Sequence, residues 1–419
     1  MYQKAILDNG LRIITGAMSH TRSVCVAIFI GVGSRYESVS ESGTSHFIEH
    51  LCFRGTTKHP TAREISEAIE GVGGILNAAT DKELTCYWCK VTRPHFRLAS
   101  EVLVDMLLDS KFDPEDIERE RQVIVEEINM CKDSPSQQVG MLIDELLWPG
   151  HPLGRDIAGT RDSVTGITRD TMLDFLRIQY KPASTVVTVA GDIEPKQVVD
   201  TYEKLLGGWS NQRQKSEYLA YEERPGAQVA VETRDTEQAH LCLALPGVSL
   251  FHPKRFALDL LNIILGEGMS SRLFSEIRDK LGLAYSIYSY VEHFFDTGSL
   301  TVSASMEPGN LPRAVTAILE QLAKLKEIPE SELNKAKEIS KGRLLLRMED
   351  SRNVAGWLGG QEVLTERILN LDEVVAIVEG INARQLEEMA QEILISERLR
   401  LAVVGPVSDK ESLKQLLKL

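Results

Sequence analysis

No stretch of this 419-residue chain comes near the roughly 18 consecutive apolar residues that mark a membrane span. The opening MYQKAILDNGLRIIT alternates like a strand and lacks the pattern of a secretion signal. A basic excess is missing too: 47 Lys plus Arg stand against 61 Asp plus Glu, a formal charge of −14. That balance argues against nucleic acid or an anionic membrane as partner and would suit a basic peptide. The six cysteines, Cys25, Cys52, Cys86, Cys89, Cys131 and Cys242, show no framework spacing, which fits a reducing compartment. Cys86 and Cys89 do read C-x-x-C, but within ELTCYWCKV, an expected strand whose residues three apart face opposite sides, so buried thiols are expected there. Neither G-x-S-x-G nor G-x-x-x-x-G-K-[ST] occurs, which removes the usual signatures of serine hydrolases and nucleotide enzymes. A soluble, cytoplasmic protein is expected.

What is present is too long for one core, so two or more domains are expected. Periodicity predicts strands near 3–15, 23–31, 75–80, 83–91 and 184–192, with helices near 44–53, 61–71, 169–180 and 194–206 and a helix-rich stretch over roughly 93–148. The polar, Gly-punctuated run GGWSNQRQKSEYLAYEERPGA (207–227) reads as a linker. Beyond it the order repeats. LLDSKFDPEDIERER at 107–121 is echoed by LAKLKEIPESELNKA at 322–336, with Pro114 and Pro329 each expected at a helix start. VVTVAGDIEP at 186–195 is echoed by RLAVVGPVSD at 400–409. The fold expected is therefore α+β, with two homologous domains, 1–207 and 228–419, joined by a linker at 208–227. Only the first copy carries a histidine pair.

That pair lies in GTSHFIEHLCFRG. On a helix, His46 and His50 at i and i+4 share a face and can reach one ion. Zinc suits two imidazoles, and a catalytic zinc takes three protein ligands while keeping an open fourth position. Glu49 projects near the same face, beside the second histidine, so H-x-x-E-H is a reversed H-E-x-x-H with a candidate general base. A third ligand is offered by the helix predicted from Asp113 and Pro114 onward. Ile117, Ile124 and Ile128 form its inward stripe, and Glu120 and Glu127 fall on that stripe. Unpaired carboxylates on an apolar face are costly. Glu127 as ligand and Glu120 as the carboxylate orienting a histidine would relieve that cost, with Glu126 a competing ligand that periodicity leaves open.

HFIEHLCFRGT, GGILNAATDKELTCYW, IERERQVIVEEI, HPLGRDIAGT and SRLFSEIRDKLGLAYS, in that order along the chain, resemble the pitrilysin-type zinc peptidases, specifically the short-chain branch of mitochondrial processing peptidase and its bacterial relatives. The resemblance implies Zn2+ on His46, His50 and Glu127, Glu49 as general base and Glu120 in support. It also implies that Arg278 and Tyr285 bind substrate and the developing oxyanion, and that the strand around Asn77 and Ala78 holds an extended peptide by its edge. It implies a clam-shell assembly in which Arg278 and Tyr285 of one chain complete the zinc site of another, as a homodimer or a heterodimer. The compact ILGEGMSSRLF lacks the long glycine-rich loop of the noncatalytic processing-peptidase subunit, which argues against dedicated presequence recognition. The function implied is a zinc-dependent endopeptidase, the alternative being a noncatalytic subunit or structural partner built on the same fold.

Overall fold

The computed structural model describes residues 2–209, 217–224 and 228–419. The chain forms two compact units, neither of them continuous in sequence. The first comprises Met1–Asn129, Arg155–Leu219 and Leu345–Asn370, the second Met130–Gly154, Ala220–Leu344 and Leu371–Leu419. The expected division at 207 and 228 therefore does not describe the compact units, and half of its 208–227 linker lies outside the described residues, at 210–216 and 225–227. The described part of that run is tied down. Arg35 donates to Leu219 O at 2.9 Å, and Tyr221 Oη donates to Leu147 O at 3.1 Å.

In the first unit, β1 (Tyr2–Ile6), β2 (Arg12–Ala17), β3 (Ser23–Ile30), β4 (Ile75–Thr80), β5 (Thr85–Thr92) and β6 (Thr185–Gly191) form one sheet in the order β1-β2-β6-β3-β5-β4. Only β2 and β6 run parallel. β-Branched and aromatic residues make up most of β3 and β5, as suits a sheet covered on both faces. Helices α1 (Thr44–Cys52), α2 (Ala62–Glu70), α3 (Phe96–Leu108) and α4 (Pro114–Asp133) contribute to the core on one face, with Phe47, Ile48, Leu51, Ile65, Leu103, Ile124 and Ile128 buried there. Cys89 joins that core while Cys86 packs into the core of the opposite face, and all six cysteines are free thiols.

The opposite face is covered by the helix Ser351–Thr365, encoded in the second half of the chain. Its N-cap Asp350 accepts the backbone N–H groups of Arg352 and Asn353 and pairs with Lys90 at 2.5 Å. Farther along, the buried Glu362 meets Lys4 at 2.6 Å and Arg12 at 3.3 Å. Gly359 makes the close approach possible, because a Cβ there would lie 2.2 Å from the Phe29 ring.

The second unit repeats the plan. β7 (Val229–Thr233), β8 (Ala239–Pro246), β9 (Ser286–His293), β10 (Gly298–Met306) and β11 (Arg400–Gly405) are ordered β7-β11-β8-β10-β9, with β7 and β11 parallel. One face is covered by α5 (Pro135–Leu147), which comes from the first half. Each sheet therefore takes a covering helix from the other half of the sequence. The physical reason is that a sheet with two apolar faces needs two layers, and the local helices of each half cover one. The echo at Pro114 and Pro329 holds with a shift: α4 begins at Pro114, whereas Pro329 stands just before the helix Glu330–Arg347, its carbonyl accepting Leu333 N–H. Among the described residues no helix is long and apolar enough to cross a membrane.

Gly359→Ala is expected to lower stability by about 1–3 kcal/mol through overpacking against Phe29 and Thr188. Gly356→Ala on the same helix, with open space at its Cβ, is expected to be neutral or to stabilise by up to about 1 kcal/mol. Urea unfolding midpoints of the two variants check this, and equal shifts would remove the packing argument.

Candidate metal centre

α1 starts at Gly43, whose left-handed backbone (φ 97°) suits glycine. A Cβ there would also lie 2.5 Å from Ala158 O. Glu37 takes the place of a local cap: its carboxylate accepts Gly43 N–H at 2.8 Å and Ser45 N–H at 2.7 Å. Burial pushes Glu37 up to about 7 in spite of those two donors. Arg155 in turn donates to the Glu37 carbonyl. Burial of Phe47, Ile48 and Leu51 sets the rotation of α1, each contributing about 1.5–3 kcal/mol. His46, Glu49 and His50 stay on the half-buried side.

The rings of His46 and His50 lie 4.6 Å apart, centroid to centroid. Each Nε2 is 3.8 Å from the same atom, Glu127 Oε2 on α4. Glu126 is exposed, so α4 presents Glu127 to the imidazoles. On the far side of His50, Nδ1 is 3.0 Å from Glu120 Oε2, and Arg54 pairs with the other Glu120 oxygen. Glu120 is almost fully buried, and although burial alone would raise its pKa, the His50 hydrogen bond and Arg54 outweigh it and the net direction is down. An ionised Glu120 only accepts, so His50 Nδ1 carries the proton and the Nε2 lone pair faces Glu127. Desolvation and the neighbouring His50 push His46 down to about 4, which keeps it neutral at neutral pH.

The cluster thus sets two imidazole nitrogens against a carboxylate oxygen at 3.8 Å, too long for hydrogen bonds. His46 Nδ1 is buried with no hydrogen-bond partner among the described residues. His46, His50 and Glu127 are the one group of metal-ligating side chains among the described residues, their donor atoms within 4.8 Å of one another. Two nitrogens and one carboxylate, with Glu120 bracing the second histidine, fit zinc at about 2.0–2.2 Å per ligand after a small contraction.

Glu49 lies beside this group. Burial raises its pKa, and the Thr80 hydroxyl, which donates to Glu49 Oε2, partly opposes the rise. Thr80 ends β4, an edge strand paired, among the described residues, only with β5. Asn77 is exposed on one face of β4, while Ala78 turns its methyl to the core on the other. Arg278 and Tyr285 belong to the second unit. Arg278 sits in the π-helical segment Phe274–Lys280, its guanidinium 4.8 Å from the Phe274 ring centre. Tyr285 is 73% exposed, more than a tyrosine packed for stability alone would be.

Sequence reasoning missed Arg54, Thr80 and Glu37. Arg54 left a signal, standing four residues after His50. Thr80 and Glu37 left none, because their contacts are made through the β4–β5 hairpin and the turn before α1.

The two imidazoles of the metal-free protein are expected to titrate on opposite sides of 6.5. His46 stays neutral down to about pH 4, and His50 holds its proton above the ordinary value. For His50, burial acts downward, but the Glu120 hydrogen bond with the charges of Glu120, Glu127 and Glu49 together act more strongly upward. His46 therefore destabilises the metal-free fold as pH falls from 6.5 towards 4, since the unfolded chain takes the proton first. Nitrogen-15 NMR of labelled histidine checks both directions, and Glu120→Gln is expected to lower the His50 midpoint. Parallel titration of the two rings would contradict the arrangement.

The description "Insulinase (Peptidase family M16)" matches residues 12–161, and "Peptidase M16 inactive domain" matches residues 166–340. An uncharacterized zinc protease of Bacillus subtilis is 36% identical over 416 residues, covering 98% of this chain and 100% of the relative. One from Mycobacterium leprae is 35% identical, covering 99% and 94%. Among solved structures, a protease from Helicobacter pylori superposes with a TM-score of 0.91 at 25% identity, over 97% of this chain and 99% of that one. A chain of complex III2 from Candida albicans shares the fold at a TM-score of 0.81 and 17% identity, over 100% of both chains. This chain belongs to peptidase family M16.

Proposed function

We propose that the protein is a zinc-dependent endopeptidase that hydrolyses extended peptides or unfolded polypeptide segments. The observation that carries this reading is the convergence of His46 Nε2, His50 Nε2 and Glu127 Oε2 with the Glu49 carboxylate alongside. His46, His50 and Glu127 would hold zinc, which would supply Lewis-acid chemistry for polarising a carbonyl and acidifying a water. Glu120, anchored by Arg54, holds His50 in the tautomer that offers Nε2. Glu49 is the general base: it takes the proton of the attacking water and returns it to the leaving amine. The free edge of β4 gives an extended substrate main-chain partners around Asn77 and Ala78, a mode that tolerates many sequences.

Arg278 and Tyr285 position substrate and stabilise the oxyanion, supplied by a second copy of the chain in a homodimer. The exposure of Tyr285 supports that role. The noncatalytic reading draws on the description of the second half as an inactive domain, yet the first half keeps every ligand position and the base.

Glu49→Gln is expected to keep zinc and lose about 10²- to 10⁴-fold of turnover on a quenched basic peptide. Hydrolysis at the parent rate would refute the base assignment. His46→Ala, His50→Ala and Glu127→Gln are each expected to deplete the metal, and undiminished zinc by elemental analysis in all three would sink the ligand set. A mixture of Arg278→Ala and Glu49→Gln chains is expected to recover activity that neither shows alone, because one of its two sites then has an intact base and an intact arginine. No recovery in subunits that demonstrably exchange would overturn completion by a second copy.

A further inference from the structure

The β4–β5 hairpin is unusually well fixed for the end of an edge strand. Asp81 N–H donates to Leu84 O at 2.8 Å, closing the turn, and Thr80 stands opposite Thr85 in the register. The turn is held from behind: Ser34 N–H donates to Asp81 O at 3.1 Å, Arg35 N–H to Lys82 O at 2.8 Å, and the buried Arg35 pairs with the buried Glu83 at 2.5 Å. Thr85 Oγ1 adds a bond of 2.9 Å to Val32 O. From this platform Leu76, Ala78 and Thr80 share the face of β4 turned towards α1, and the Thr80 hydroxyl reaches Glu49 Oε2. A threonine hydroxyl has one proton to give. It is committed to one carboxylate oxygen, which leaves the other for the proton of the reaction.

We propose that Thr80 is a positioning residue for Glu49, and that a peptide paired along β4 is aligned to the base because both are referenced to the same strand. The inference rests on the endopeptidase reading above and adds a coupling to it. Without the hydroxyl, Glu49 keeps only the lesser backbone N–H contact of Thr80 and gains freedom about its side-chain torsions. With it, the carboxylate that carries the reacting oxygen is tied to the strand that receives substrate. The distance between base and scissile bond then does not depend on the chance rotamer of a glutamate. Misplacement by about 1 Å costs on the order of 100-fold in rate, so the hydroxyl matters to turnover more than to binding.

The test compares parent, Thr80→Val, Thr80→Ser and Glu49→Gln as zinc-loaded full chains on one quenched peptide, with zinc stoichiometry and a crystal structure of each. Valine keeps the shape and removes the hydroxyl, and serine restores it. Thr80→Val is expected to lose about 10- to 100-fold in kcat with KM within about twofold, zinc content unchanged and the Glu49 carboxylate in a different rotamer. Thr80→Ser is expected to stay within about threefold of the parent and to keep the carboxylate in place. A parental kcat for Thr80→Val, an equal loss in Thr80→Ser, a change confined to KM, or zinc loss in Thr80→Val would each overturn the proposal. If the parent itself hydrolyses no peptide, the endopeptidase reading falls. The Glu49 rotamer still decides the role of Thr80: a carboxylate unmoved in Thr80→Val rejects it, and one displaced there but retained in Thr80→Ser upholds it.

Discussion

The arrangement depends on one hydrogen bond, from His50 Nδ1 to Glu120. Because Arg54 holds the other oxygen of that carboxylate, Glu120 stays ionised inside the core and the proton on the imidazole is confined to the inner nitrogen. Everything on the opposite side follows. Nε2 of His50 is turned outwards beside that of His46, whose pKa burial keeps low, and both face the carboxylate of Glu127 at 3.8 Å. Two imidazole nitrogens and a carboxylate oxygen gathered in that geometry offer three ligand atoms to one cation. A buried negative charge with its own cation is thus what makes the site receptive to a metal.

The fold supplies this interaction from separate pieces. α1 carries both histidines and the base, and its first turn is capped from a distance by Glu37 in place of a local serine or aspartate. α4 brings Glu120 and Glu127 two turns apart to the histidines of α1, with Ile117, Ile124 and Ile128 of the same helix buried. Arg121 reinforces the contact, its guanidinium 5.3 Å from the Phe47 ring centre while donating to Ile167 O. β4 completes the surroundings. The site is consequently built on regular elements, which hold side chains more closely than loops do.

Much of this was legible in the sequence because it is local and periodic. The i, i+4 spacing of His46 and His50 and the stripe that includes Glu120 and Glu127 are helix properties, and α1 and α4 appear where expected. Glu126 against Glu127 is decided by rotation of α4 about its axis, one residue being exposed and the other turned inwards, which a stripe three residues wide resolves only loosely. The contacts of Glu37 and Thr80 are set by turns whose geometry leaves no spacing to read. The π-helical turn before Leu281, with its N–H reaching Glu276 O, has no repeat at all. The exchanged helices were illegible for another reason: an apolar stripe says that a helix must be covered, but not by which sheet.

That exchange has a consequence for synthesis. The apolar face of the first sheet formed by Ile14, Phe29, Trp88 and Val186 is closed by residues around Val354, Leu358 and Val363. A ribosome delivers the chain from its N-terminus, so the histidine pair and both glutamates emerge long before the segment that seals the layer behind them. Until then the nascent protein carries a wide greasy surface and is a client for holdase chaperones. Truncation anywhere before that segment leaves the same surface permanently bare, so a fragment bearing every ligand position is expected to aggregate instead of binding metal.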